Sequence, residues 1–347
     1  MSELRQDPTT GEWVIMAPER VRRPKQGPKK KEKKVDLPEW DASCPFCPGN
    51  ERLSPTESFR IPTPGKNHGW DVRVIPNKFP ALTPEGDTTR REETHLFRKM
   101  DGFGIHEVII ESPSHNTPMA LMPHRQVAKI LAAYQARYNA LKSNQKIKSI
   151  TIFKNHGWAS GTSLVHPHSQ LVATPITATY YRRQFEAAVN YYDNAGRCLY
   201  CEMIARDLAD GSDRIVAETE EFIVVHPFAS RVAWETWILP KRHYASFGLF
   251  PAELLAGLAG VLKDTLLCLY RGLNDPALNM MIDTTTPRDE EGPYYHWHIR
   301  IVPRIKLIAG FEMGSGIYIN STLPEDTAAR MKQVARSLPE DECPNLK

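Results

Sequence analysis

An α+β fold with antiparallel sheets, flanking helices and two similar halves is what this 347-residue sequence predicts. Three observations carry it. β-branched runs come in two sets, one helical stretch interrupts each set, and both halves repeat one order of chemistry-bearing residues. That order is C-x-x-C, strand, His, helix, strand, H-x-H. Residues 1–178 are expected to form a first domain and 179–347 a second.

In the first half, strands are expected at 12–16, 72–75, 107–110, 149–153 and 169–173, where Val, Ile, Thr and aromatic residues concentrate. The helix is expected over 124–143, which carries Leu, Ala and Tyr at helical spacing and has no Pro inside it. In the second half the strands fall at 222–225, 234–239, 278–282 and 298–302, with a helix over 251–273 that begins on its only Pro.

A net charge of +3, with 24% charged and 41% hydrophobic residues, is ordinary for a globular chain and does not point to nucleic acid. No apolar run is long enough to span a bilayer, and the polar start MSELRQDPTTGEW lacks the apolar core of a signal peptide, so no membrane partner and a cytoplasmic location are expected. The Lys- and Pro-rich segment 22–34 reads as a surface loop, or as an arm that attracts anions. Its Lys29 to Lys34 run also prompts a third hypothesis, a zinc-stabilised nucleic-acid-binding module. Against that module, the basic residues form one local run without interleaved aromatics.

Six cysteines fall as Cys44 and Cys47, Cys198 and Cys201, and the separate Cys268 and Cys343. Two C-x-x-C pairs without a secretory signal point to metal or redox chemistry. Nothing thioredoxin-like surrounds either pair, and no histidine is followed by Glu two residues later, as a zinc deaminase requires. Two thiolates and two imidazoles make a tetrahedral zinc shell with no open position, which is a structural ion. The expected sets are Cys44, Cys47, His115 and His166, and then Cys198, Cys201, His243 and His296.

Alternate residues of a strand share a face, so His166, His168 and Gln170 can all meet one pocket. With His166 on the metal, His168 is the expected nucleophile, because a neutral imidazole attacks phosphorus near neutral pH once its other nitrogen is held by a hydrogen bond. Gln170 and Ser163 can donate to phosphate oxygens as charge develops, and Gly161 lets the backbone approach them closely.

These residues resemble the histidine-triad superfamily, specifically its galactose-1-phosphate uridylyltransferase branch, over nearly the whole chain. The resemblance rests on the H-P-H-x-Q core after Asn155-His156-Gly157, on Trp13-Val14 with Pro18-Glu19-Arg20-Val21-Arg22-Arg23-Pro24, and on Cys44-Pro45-Phe46-Cys47. It extends through Pro76-Asn77-Lys78-Phe79-Pro80-Ala81-Leu82, Ser112-Pro113-Ser114-His115, Trp234-Glu235-Thr236-Trp237-Ile238-Leu239-Pro240-Lys241 and Gly310-Phe311-Glu312-Met313. It implies two histidine-triad-like half-barrels and ping-pong exchange of UMP between UDP-glucose and galactose 1-phosphate through a uridylylated His168. It also implies nucleoside contacts at Asn77 and Phe79, phosphate or sugar-phosphate contacts at Arg20, Arg23, Asn155, Ser163 and Gln170, and hexose contacts at Lys306 and Glu312. A homodimer in which the hexose loop reaches the partner's site is likewise implied.

Two positions depart from the family pattern. Asp283 stands where the family places a histidine that helps hold iron, and a hexose-contacting glutamine is missing from residues 314–320. The second C-x-x-C and the Gly-rich ending resemble a sister group that includes ADP-glucose phosphorylase, which passes AMP to phosphate by the same nucleotidyl-histidine chemistry. The second metal is therefore expected to be zinc, and an adenine donor is the alternative to uridine.

Overall fold

The computed structural model describes residues 1–22 and 37–347; Arg23 and the Lys29 to Lys34 run lie outside the described residues. The first half supplies β1 (Glu3–Gln6), β2 (Trp13–Met16), β3 (Phe59–Pro62), β4 (Trp70–Pro76), the short β5 (Arg91–Glu92) and β6 (Arg98–Lys99), and β7 (Ile105–Ile110). Helix α1 (His124–Lys142) then leads to β8 (Ser149–His156) and β9 (His168–Thr174). The second half contains α2 (Thr179–Ala195), α3 (Leu199–Ala209), β10 (Ile215–Glu218), β11 (Phe222–Val225) and β12 (Thr236–Pro240). It continues with α4 (Leu255–Gly272), β13 (Leu278–Asp283), β14 (His298–Pro303), α5 (Gly310–Ser315), β15 (Tyr318–Asn320) and α6 (Pro324–Ser337).

Ten of these strands make one antiparallel sheet in the order β10-β11-β12-β14-β13-β8-β9-β7-β4-β3. The order is a mirror image about the β13–β8 seam. There the two expected half-barrels join edge to edge into an open sheet through pairs such as Met281 with Phe153 and Asn279 with Asn155. A smaller sheet runs β1-β2-β15 and ties the N-terminus to the C-terminal half, since β15 lies parallel to β2.

Period-two alternation sorts the large sheet into two faces. One face is apolar and helix-covered: Ile109, Ile150, Ile152, Leu171, Ile238, Met280, Ile299 and Ile301 pack against α1 and α4. Helix α1 turns Val127, Ile130, Leu131, Tyr134, Tyr138 and Leu141 inward, and α4 is buried along most of its length. Helices α2, α3 and α6 were not foreseen. Helices α2 and α3 pack Ala188, Leu199, Tyr200 and Ile204 on a second apolar cluster with Ile223, Val225, Trp237 and Leu239, and α6 sends Ala328, Met331 and Ala335 into the main core. The opposite face carries His168, Gln170, Phe153 and Val108, which the strand register brings into line.

Beneath β9, on the helix-covered face, four polar side chains interrupt the apolar layer. Lys154 Nζ lies 2.7 Å from Glu111 Oε2, with both side chains almost fully buried. Lys154 also donates to the carbonyl of His168 at 3.3 Å, and Ser169 Oγ meets both Glu111 and the Tyr134 hydroxyl. Every charge in this cluster has a partner, so removing one partner strands the other. Lys154→Met is expected to destabilise the fold by about 3–5 kcal/mol, and Glu111→Leu combined with Lys154→Met to recover most of that loss. Urea denaturation checks this; a single variant within about 1 kcal/mol of the parent would place the pair in the weak class of surface bridges.

Candidate functional site

The irregular segment 37–50 delivers Cys44 and Cys47 to the face of the sheet opposite α1 and α4, beside His115 and His166. The two thiols and two imidazoles are all buried, and one ligand atom from each lies within 4.8 Å of all the others. Cys44 Sγ is 3.7 Å from His166 Nδ1, and Cys47 Sγ is 3.6 Å from it and 3.5 Å from His115 Nδ1. An ion at tetrahedral centre, with Zn–S of about 2.3 Å and Zn–N of about 2.0–2.1 Å, would separate sulfur from nitrogen by about 3.6 Å. The cluster therefore has the right donors at the right spacing to hold a metal ion such as zinc. His166 Nε2 donates to the Ser112 carbonyl at 2.8 Å, which leaves its Nδ1 lone pair facing the sulfurs. Burial pushes the Cys44 thiol up to about 11, and a bound cation is what would reverse that penalty.

The second set assembles less tightly. Cys198, Cys201 and His243 form one group, with Cys201 Sγ 3.3 Å from His243 Nδ1. His296 Nδ1 lies 3.7 Å from Cys201 Sγ but does not come within the same mutual distance of the other donors. Asp283 takes no part in this group. Its carboxylate is fully buried against Arg300 Nε at 2.7 Å and His298 Nε2 at 3.4 Å. Although burial opposes ionisation, the Arg300 and His298 contacts hold Asp283 well below the usual carboxylate range.

His168 opens β9, two residues after His166. It is only 6% exposed, and its Nδ1 lies 2.8 Å from the His166 carbonyl. A carbonyl only accepts, so Nδ1 carries the proton and Nε2 keeps a free lone pair. Phe46, between the two cysteines, packs its ring edgewise on His168 at 5.4 Å and on His166 at 6.0 Å. Burial, assisted by the nearby Lys154 charge, holds His168 below the ordinary imidazole range, so it is neutral near neutral pH.

Of the expected phosphate-contacting residues, Gln170 and Asn155 lie beside His168. Gln170 shares the His168 face of β9, and Asn155 is the last but one residue of the neighbouring β8. Asn155 Oδ1 accepts from Asn279 Nδ2 at 2.8 Å, and the same Asn279 nitrogen donates to the Ser160 carbonyl at 3.0 Å. This turns the Asn155 amide nitrogen outward and pins the 157–167 loop to β13. Ser163 sits exposed in that loop. Gly161 adopts φ +91°, and Gly157 adopts φ +76° with Ala277 so close that a Cβ would lie 2.8 Å from its methyl. Only glycine fits at Gly157.

Asn77 and Phe79 lie on the loop after β4, where Asn77 Oδ1 accepts the Phe79 N–H at 2.9 Å. Phe79 is 84% exposed, so it is not core; an exposed aromatic beside a polar loop is placed to stack on a flat ligand. Arg20, Lys306 and Glu312 meet elsewhere, around a cavity of about 600 Å³ whose lining includes neither His168, Gln170, Ser163 nor Asn77. In it Lys306 Nζ is 3.4 Å from Glu312 Oε1 and 3.1 Å from the Ile319 carbonyl. Residues that sequence reasoning missed are His106, Asn279, Glu111 and Lys154. Each is a polar residue in a strand or, for Glu111, just past the end of one, and its partners come from distant segments.

The family described as galactose-1-phosphate uridyl transferase, N-terminal domain, matches residues 1–177, and a domain of unknown function matches 114–343. An ADP-glucose phosphorylase of Arabidopsis thaliana is 37% identical over 96% of this chain and 93% of its own length. A galactose-1-phosphate uridylyltransferase of Thermotoga maritima is 30% identical over 96% of this chain and 98% of its own. Among solved structures, an ADP-glucose phosphorylase from Arabidopsis thaliana with bound ADP-glucose superposes with a TM-score of 0.82 at 34% identity, covering 98% of this chain and 99% of that one. A uridylyltransferase superposes with a TM-score of 0.74 at 27% identity, covering 98% and 100%.

Metal-stripped protein titrated with zinc is expected to take up about one ion per chain at the first cluster and to gain thermal stability, since binding to the folded form alone raises Tm. Cys44→Ser should abolish that tight uptake, and Cys201→Ser should leave it. Elemental analysis with thermal melts decides; equal uptake by the parent and Cys44→Ser proteins would remove the first cluster as a metal site.

Proposed function

The chain belongs to the galactose-1-phosphate uridylyltransferase family, and we propose that it transfers a nucleoside monophosphate from a nucleotide sugar to a second acceptor through His168 Nε2. The observation that carries this reading is the hydrogen bond from His168 Nδ1 to the His166 carbonyl, which leaves Nε2 as the only nitrogen with an available lone pair. That lone pair attacks the α-phosphorus. A P–N bond forms, the bond to the bridging oxygen breaks, and the sugar 1-phosphate leaves with the electron pair. The acceptor's phosphate oxygen then attacks the same phosphorus and releases the imidazole.

Gln170, Asn155 and the backbone of the Gly161 loop supply donors to the phosphate oxygens as charge shifts onto them. Glutamine has no proton to exchange near neutral pH, so it does not activate water, and the nucleotidyl-histidine persists until an acceptor binds. Cys44, Cys47, His115 and His166 would hold an ion such as zinc, whose filled shell supplies structural anchoring of the His166 backbone.

Family membership supports UDP-glucose as donor and galactose 1-phosphate as acceptor. A second reading, ADP-glucose as donor and phosphate as acceptor, is supported by the higher identity and TM-score to the Arabidopsis ADP-glucose phosphorylase. Because Arg20, Lys306 and Glu312 do not share a cavity with His168, we further propose a homodimer in which the partner's loop completes the site.

Incubation with UDP-glucose or ADP-glucose, radiolabelled in the α-phosphate, should yield acid-labile label on His168 from one donor and little from the other. The labelled donor identifies the nucleotide, and His168→Asn should give none. Exchange of sugar phosphates by His168→Asn at the parent rate would sink the mechanism. Mixed and re-annealed His168→Asn and Glu312→Ala proteins should regain part of the activity both lack, because one mixed site receives both wild-type residues; no recovery would remove the shared-site proposal.

A further inference from the structure

His106 lies on β7, two residues before Val108 and on the face that carries Gln170, and its imidazole joins two segments on which the proposed transfer depends. Its Nδ1 accepts the Ala81 N–H at 3.2 Å. A backbone N–H can only donate, so Nδ1 is unprotonated and the ring proton sits on Nε2. That Nε2 is 2.8 Å from Gln170 Oε1, which accepts from it. The Gln170 amide therefore has one permitted orientation, with its oxygen tied to His106 and its two N–H donors free for the phosphate.

The same residue anchors the loop that carries Asn77 and Phe79. The His106 carbonyl accepts the Asn77 N–H at 2.8 Å; the Asn77 amide nitrogen, 3.1 Å from Nε2, is a donor like the Nε2–H it faces and adds no hydrogen bond. Asn77 Oδ1 is occupied by the Phe79 N–H, so this amide cannot reverse to compete with Gln170 as the acceptor. Without the imidazole, Gln170 could turn its oxygen toward a phosphate, where it would repel the charge it is placed to stabilise.

We propose that His106 is a positioning residue for nucleotidyl transfer: as the Nε2–H tautomer it holds Gln170 with its amide donors facing the α-phosphate, and it locks that orientation to the Asn77–Ala81 loop. The inference rests on the transfer through His168 proposed above. Its effect belongs to kcat more than to KM, because the amide donors matter most when charge develops on the phosphate oxygens.

Two measurements test it. In single turnover with the labelling donor, Gln170→Ala should slow transfer to His168 by about 100-fold, the order found for a lost oxyanion donor. His106→Ala should slow it by about 10-fold with a smaller change in KM, and the double variant should be no slower than Gln170→Ala alone. His106→Gln, which restores an N–H donor, should recover part of the loss. Independent, additive losses in the double variant would overturn the proposal, because a merely structural histidine would act without reference to Gln170. Second, ¹⁵N–¹H correlation spectra of histidine-labelled protein should show His106 as the Nε2–H tautomer, with that signal shifted in Gln170→Ala. An Nδ1–H tautomer, or a signal unmoved by Gln170→Ala, would also overturn it. The spectrum needs no substrate, so a protein labelled by neither nucleotide sugar would defeat the functional reading while the spectrum still decides the role of His106.

Discussion

One residue, His166, meets three demands at once, and the site depends on their coincidence. Its Nδ1 faces Cys44 and Cys47, its Nε2 donates to the Ser112 carbonyl, and its own carbonyl accepts from His168 Nδ1. The first two contacts hold the peptide at the start of β9, and the third leaves Nε2 as the nitrogen of His168 with a free lone pair. An imidazole on a free loop would exchange tautomers and rotate. Here the proposed nucleophile inherits the rigidity of a buried Cys2His2 cluster on one side and of the Lys154–Glu111 pair on the other, where Lys154 donates to the His168 carbonyl. Precision of this kind matters because misplacement of a reacting group by about 1 Å can slow a reaction by about 100-fold.

The two halves share a scaffold and use it differently. In the first, Phe153 stands opposite Gln170, and Asn155 follows on the same strand near His168. In the second, Met281 stands opposite Arg300, and Asp283 opposite His298. Asp283 therefore occupies the register position that Asn155 holds in the first half. The first half presents neutral amides whose oxygens are engaged by Asn279 and His106, leaving their N–H groups to meet an anion. The second buries a carboxylate that already neutralises a guanidinium and touches an imidazole. Its charges are satisfied internally, and Trp237 stacks on His298 at 4.6 Å.

Much of this was legible in the residues themselves. The strands around 72–75, 107–110, 149–153 and 169–173 stood out because β-branched runs bounded by turns have few other uses, and α4 stood out because its core-facing side is almost wholly apolar. The first metal cluster was legible because C-x-x-C and H-x-H restrict donor geometry over short spans. What escaped were helices α2 and α6, whose apolar positions are diluted by charged and polar ones, the short α3, and residues such as His106, Asn279 and Lys154. A histidine on a strand carries no mark of which nitrogen is protonated; that depended on an N–H from Ala81 and an amide from Gln170, 64 residues away.

The sequence by itself determined the chemistry and its order: which residue types recur, how far apart they stand along the chain, and that both halves repeat them. Short-range spacing suffices for that, since a tight turn brings two cysteines together and alternation puts His166, His168 and Gln170 on one face. Only the tertiary structure decided the orientation of each group. It joined two half-sheets at β8 and β13, placed Asn279 from one half against Asn155 from the other, and set Arg20, Lys306 and Glu312 around a cavity apart from His168. Hydrogen-bond direction and cavity membership depend on partners supplied by remote segments, and linear spacing does not encode them.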